Sequence, residues 1–93
     1  MTETTTIRRR LVIRGRVQGV FFRNSVRERS MGEELAGWAR NREDGTVEVV
    51  LEGRSQGVQS VIDFCRQGPS RAEVGDVEIH DEEPEGLSGF KLG

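Results

Sequence analysis

The dipeptide Asp44-Gly45, set in LAGWARNREDGTVEVVLEG, constrains the fold of this chain more than any other feature. Asp-Gly between two runs of strand formers is a strong hairpin signal, because the tight turns that join neighbouring strands need the positive φ that glycine adopts at little steric cost. It predicts Ala36 to Arg42 as one strand and Thr46 to Gly53, rich in β-branched residues, as its antiparallel neighbour. The rest of the chain must be arranged around this pair.

Upstream, Ile7 to Arg14 alternates, with Ile7, Leu11 and Ile13 on one face and Arg8, Arg10 and Arg14 on the other, as in a half-buried strand. FRNSVRERSMG then spaces Phe22, Val26 and Ser30 at helical intervals, predicting a helix from Phe22 to about Gly32. Downstream, Val58, Val61, Ile62 and Cys65 mark a second helix that stops at Gly68-Pro69. Val74, Val77 and Ile79 alternate in a further strand, the acidic run Asp81 to Glu85 reads as a solvated turn, and FKL suits a short final edge strand. The order β-α-β-β-α-β predicts an α+β, ferredoxin-like sandwich: an antiparallel sheet with both helices on one face.

With 93 residues there is room for one modest core, so a single domain is expected over 1–93, with about residues 1–5 as a disordered tail. The 14 basic and 16 acidic residues nearly cancel, which argues against the broad cationic face of a nucleic-acid binder. Arginine is nevertheless concentrated in the first half and acids crowd Glu73 to Glu85, so an anionic ligand would favour the N-terminal half. The single cysteine, Cys65, sits at an apolar helical position and reads as a small core residue. MTETTTIRRR lacks the apolar stretch of a signal peptide, and no apolar run approaches the ~20 residues of a membrane span, so a cytoplasmic protein is expected.

GRVQGVFFR lies between the first strand and the first helix, where a helix N-terminus leaves N–H donors unpaired. Gly15 and Gly19 can take positive φ and turn successive N–H groups inward around a phosphate-sized anion, and the helix dipole adds positive potential. Arg23, in the first helical turn, could grip two phosphate oxygens. The spacing is neither that of a Walker A loop nor that of a dinucleotide fingerprint. An anion-binding loop and a plain β-α turn with a solvated Arg23 both remain open on spacing alone. So do two readings of Asn41, as a residue orienting a water or as a strand-end stabiliser.

GRVQGVFFR followed by GWARNREDGTVE closely resembles the acylphosphatase signature, a G-x-V-Q-G-V-x-F-R loop paired with G-W-V-x-N and a following hairpin. GPSRAEVGDVEI and EGLSGFKL extend the resemblance over nearly the whole chain. It implies hydrolysis of acyl phosphates to a carboxylate and inorganic phosphate without metal or organic cofactor. By position, Arg23 would bind the phosphoryl group and Asn41 would orient the attacking water. Arg16, Val17, Gln18, Gly19 and Val20 would form the backbone cradle, and the substrate's own phosphate would accept the water's proton. The partner implied is a small-molecule acyl phosphate; no nucleic-acid or membrane partner is expected, and a monomer is the default expectation although the open sheet edges would permit a dimer.

The chain departs from the family pattern A-x-x-L-G at the end of the first helix. Ser30, Glu33 and Glu34 stand at the positions of alanine, an apolar residue and glycine. A charged Glu33 on a core face would be destabilising unless the helix ends at Gly32 and releases it to solvent. Two other readings belong to this fold. One is an RNA-binding module, for which the aromatics Phe21, Phe22, Phe64, Phe90 and Trp38 are few and no RNP1 pattern is present. The other is a carbamoyl-phosphate-handling domain of the kind found in a hydrogenase-maturation carbamoyltransferase.

Overall fold

Period-two alternation along β1 (Thr6–Arg16) buries Leu11 and Ile13 in the core and turns Arg8, Arg10 and Arg14 to the opposite face. The structure, a computed structural model, describes residues 5–93, so all of the expected N-terminal tail except Thr5 lies outside the described residues. After β1 come α1 (Phe22–Gly32), β2 (Ala36–Asn41), β3 (Val47–Arg54), α2 (Ser55–Gln67), β4 (Glu73–Glu82) and β5 (Phe90–Leu92). The strand order is β4-β1-β3-β2-β5. Pairing is antiparallel from β4 through to β2, whereas β5 lies parallel to β2, so the sheet is mixed at that edge. The cause is topological: after β4 the chain crosses the end of the sheet and turns back along β2.

Both helices cover one face, α1 over β2 and β5, and α2 over β4, β1 and β3. Phe22, Val26 and Ser30 form the buried stripe of α1, and Gly57, Val58, Val61, Ile62 and Cys65 that of α2. They close on Leu11, Ile13, Val47, Val49 and Leu51 from the central strands. Cys65 is wholly enclosed, and burial pushes its thiol up to about 12, which suits a core residue and not a thiolate nucleophile.

The end of α1 resolves the departure from the family pattern. Leu35 N–H donates to the Ser30 carbonyl at 2.8 Å and Glu34 N–H to that of Met31 at 3.0 Å, the two bonds of a Schellman cap with apolar Leu35 closing it. Glu33 is thereby released to solvent. Glu34 takes the left-handed conformation at φ 59°, where glycine would be at ease.

The face of the sheet away from the helices carries ion pairs in place of a second layer. Arg8 meets Glu52 and Glu82, both at 2.8 Å, and Arg10 meets Glu82 at 2.8 Å and Glu48 at 3.6 Å. Arg40 meets Glu48 at 2.7 Å and lies over the half-buried Trp38 ring. The acidic run is therefore not simply a solvated turn. Asp81 and Glu82 belong to β4, and Glu82 is held by two arginines because the register brings it opposite Arg8.

Candidate active site

β1 and β2 run parallel with β3 between them, so their carboxyl ends lie at the same edge of the sheet. Ile13, Val47 and Asn41 share one row of the ladder, and β1 continues past that row to Arg16 before turning towards α1. Asn41 is on the same face as the buried Ala39 and Gly37, the face that carries the helices. Two segments 18 or more residues apart in sequence thus meet at the N-terminus of α1.

Gly19 (φ 74°) and Phe21 (φ 61°) both have positive φ on either side of Val20, an alternation of the kind from which anion-binding backbone concavities are built. Gly15 does something else. It sits at the bulge between β1 and β4, where a Cβ would lie 2.2 Å from the Glu73 carbonyl oxygen, so its φ of 127° serves close packing and not the nest. The first turn of α1 contains no acidic residue and no side-chain cap, and Ser25 N–H, bonded to the Phe21 carbonyl at 3.1 Å, makes the helix's first backbone bond. The donors ahead of it are left for a ligand.

Val17, Gly19, Phe21, Phe22, Arg23, Asn24 and Asn41 line a pocket of about 270 Å³ here. The half-buried Arg23 donates from Nη1 to the Gly93 oxygen and has no Asp or Glu partner among the described residues. Other arginines of the N-terminal half are paired: Arg9 with Asp81, Arg14 with Asp76 and Glu78, Arg42 with Asp44. Much of the basic surplus read from the sequence is thus paired with acids, whereas Arg23, like Arg16, Arg27 and Arg29, has no ion pair with Asp or Glu among the described residues.

Arg16, Gln18 and Val20 stand around this pocket without lining it. Arg16 ends β1 with an exposed side chain, and Val20 is buried in the core. Gln18 donates from Nε2 to the carbonyls of Arg42 (2.7 Å) and Thr46 (2.9 Å), clamping the loop to the hairpin turn that follows Asn41. The turn is itself fastened by Asp44, whose Oδ1 accepts from the Thr46 hydroxyl and N–H at 2.6 and 3.0 Å. Those bonds, the hydroxyl's first, hold the Asp44 carboxyl below its usual range. Sequence reasoning missed the Gln18 clamp and the pocket positions of Phe21 and Asn24. A signal for Phe21 was available in FF, since only one of two adjacent phenylalanines at a helix start can face the core.

The single histidine, His80, lies away from this pocket. It is on β4, at the opposite side of the sheet from β2, with Nε2 2.5 Å from Glu78 Oε2. Among the described residues no three His, Cys, Asp or Glu side chains gather as a metal site.

A βαββαβ sandwich holding a glycine-containing loop at a helix start, an arginine without an Asp or Glu partner and an amide in one pocket has the parts of a small phosphate-handling protein. The chain belongs to the acylphosphatase family, whose profile matches residues 9–92. Acylphosphatase of Haloarcula marismortui is 45% identical over 85 residues, covering 91% of this chain and 93% of that relative. The crystal structure of acylphosphatase from Bacillus subtilis superposes with a TM-score of 0.90 at 34% identity, over 94% of this chain and 98% of that one. The structure of an acylphosphatase from Coxiella burnetii gives 0.93 at 32% identity, with both chains covered in full.

Proposed function

We propose that this enzyme is an acylphosphatase that hydrolyses the carboxyl–phosphate anhydride of small acyl phosphates in the pocket at the start of α1. One observation carries the reading: Arg23 and Asn41, far apart in sequence, line the same pocket as the left-handed Gly19. Backbone N–H groups of Arg16 to Val20 cradle the phosphoryl oxygens, with Val17 and Gly19 closest to the pocket, while Arg23 offers two parallel N–H donors. Asn41 orients a water in line with the scissile bond. The water oxygen attacks phosphorus, the bond from phosphorus to the acyl oxygen breaks, and the carboxylate leaves with the bonding electrons. The water's proton passes to a phosphoryl oxygen, giving inorganic phosphate. A carboxylate is a good leaving group, so positioning and fixed positive potential are the chief demands on the protein.

The same reading takes residues 1–93 as one domain acting as a monomer in the cytoplasm, with no nucleic acid or membrane involved. The sheet edges support a monomer, since β5 has only three residues and β4 is lined by Glu73, Asp76, Glu78, Asp81 and Glu82. No helix among the described residues is long and apolar enough to cross a membrane. The RNA-binding reading finds no support on the open face, where β1 and β3 present Arg8, Arg10, Glu48 and Glu52 in place of stacking aromatics.

The test is hydrolysis of benzoyl phosphate in the presence of a chelator by the intact protein, Arg23→Ala and Asn41→Ala. Turnover by the intact protein should fall by about 10²-fold or more in each variant while the circular dichroism spectrum is retained. A folded but inactive intact protein would overturn the assignment.

A further inference from the structure

Phe21 is doubly out of place for a residue that only connects a strand to a helix. The residue is 70% exposed, and Met31 is the other exposed large hydrophobic among the described residues. Its backbone is left-handed at the N-cap of α1, a conformation that disfavours a bulky side chain and that Asn or Gly would hold more easily. The core gains nothing from it, because the neighbouring Phe22 fills the buried position and packs near Phe64. Yet Phe21 lines the same pocket as Arg23 and Asn41. The pocket's other polar groups can all be satisfied by a phosphoryl group and a water. Of the apolar residues lining the pocket, Val17 and Phe22 are buried, so what remains exposed for the other half of an acyl phosphate is Phe21.

We propose that Phe21 is the acyl-group platform of the site, a specificity-determining residue that favours acyl phosphates with an aromatic or bulky apolar acyl group over acetyl phosphate. This rests on the acylphosphatase reading. The phosphoryl group occupies the nest and Arg23, so the acyl carbonyl emerges towards the pocket mouth, where the Phe21 ring offers a flat face for an apolar body. Burying that body against the ring adds binding that a methyl group cannot match. The platform acts on the part of the substrate that does not react, so its contribution appears chiefly in KM.

The experiment compares kcat and KM for benzoyl phosphate and acetyl phosphate in the intact enzyme, Phe21→Asn and Phe21→Leu, with inhibition by inorganic phosphate measured alongside. Asn suits the left-handed backbone, so Phe21→Asn removes the ring without straining the loop. The expected result is a fall of about tenfold in kcat/KM for benzoyl phosphate, mostly through KM, against about twofold or less for acetyl phosphate. Phe21→Leu should recover part of the loss, and the phosphate inhibition constant should stay within about twofold of the intact enzyme's. Equal losses on both substrates, or an unchanged ratio, would overturn the platform while leaving the hydrolase reading intact. An intact protein that hydrolyses neither substrate would overturn both.

Discussion

At the scale of single residues, the three departures at the end of α1 differ in character. Glu33 is harmless because the helix stops one residue before it and leaves it in solvent. Ser30 and Glu34 are not. The Ser30 side chain is wholly buried and its Oγ has no hydrogen-bond partner, a situation that costs about 1–3 kcal/mol. Glu34 fills the left-handed position of the Schellman cap, where a side chain costs about 1 kcal/mol relative to glycine. Ser30→Ala and Glu34→Gly should therefore each stabilise the fold by about 1 kcal/mol, raising Tm by about 5 °C in a domain of this size. Thermal and urea denaturation would check this, with the urea m-value unchanged and benzoyl phosphate turnover retained. A destabilised Glu34→Gly variant would show that the cap owes its shape to Glu34 itself. That these positions depart from the family pattern was visible in the sequence. Which one is buried, which exposed and which left-handed depends on where the helix ends, and cap geometry is not written in a residue pattern.

At the scale of elements, the hairpin, both helices and the order of elements along the chain followed from turn chemistry and periodicity, because each is decided within a short window. What did not follow depends on pairing between distant segments. The parallel docking of β5, the three extra residues of β1 (Thr6, Gly15 and Arg16) and the approach of Asn41 to the loop all arise from the sheet register, to which the local sequence is blind. Glu52 shows how such pairing supports the site. Its carboxylate accepts from the backbone N–H groups of Glu85 (2.8 Å), Gly86 (3.2 Å) and Leu87 (3.1 Å), while also pairing with Arg8. It thus moors the segment that carries the chain from β4 to β5, and just after β5 the Gly93 carbonyl receives Arg23. Glu52→Ala should destabilise the fold by about 3 kcal/mol, since it leaves Arg8 buried with one fewer partner and three N–H groups unmet. Hydrogen exchange should quicken at residues 85–92 while α2 keeps its protection. Uniform exchange across the sheet would mean that the segment has no independent mooring.

At the scale of the whole molecule, the layout of charge links stability to pH. A net charge of −2 says little by itself, yet the arginines of β1 face the acids of β4 along an antiparallel ladder, so the two halves of the sequence neutralise one another. Burial works to raise the Glu52 carboxyl, but the backbone donors from Glu85 and Leu87 and the guanidinium of Arg8 outweigh it and hold it below the usual carboxylate range. Arg10 first and then Arg8 lower Glu82, while His80 first and then Arg14 lower Glu78. For each group the folded state binds its proton less readily than the unfolded chain does. The stability they add is fully present above the unfolded carboxylate value, and it is lost as pH falls through the lower folded values. Unfolding free energy should accordingly be level from about pH 7 to about pH 5 and decline below that, with protons taken up on unfolding. Glu78 and Glu82 act nearer the surface and are screened by salt, whereas Glu52 is enclosed. Denaturation across this pH range at low salt and at about 1 M salt separates them, because the exposed pairs' share should shrink at high salt while a decline from Glu52 persists. Glu52→Gln should flatten that persistent decline and start from a lower stability at neutral pH. If its acid profile at high salt instead matched the intact protein's, the buried carboxylate would not be the group through which acid loosens this fold.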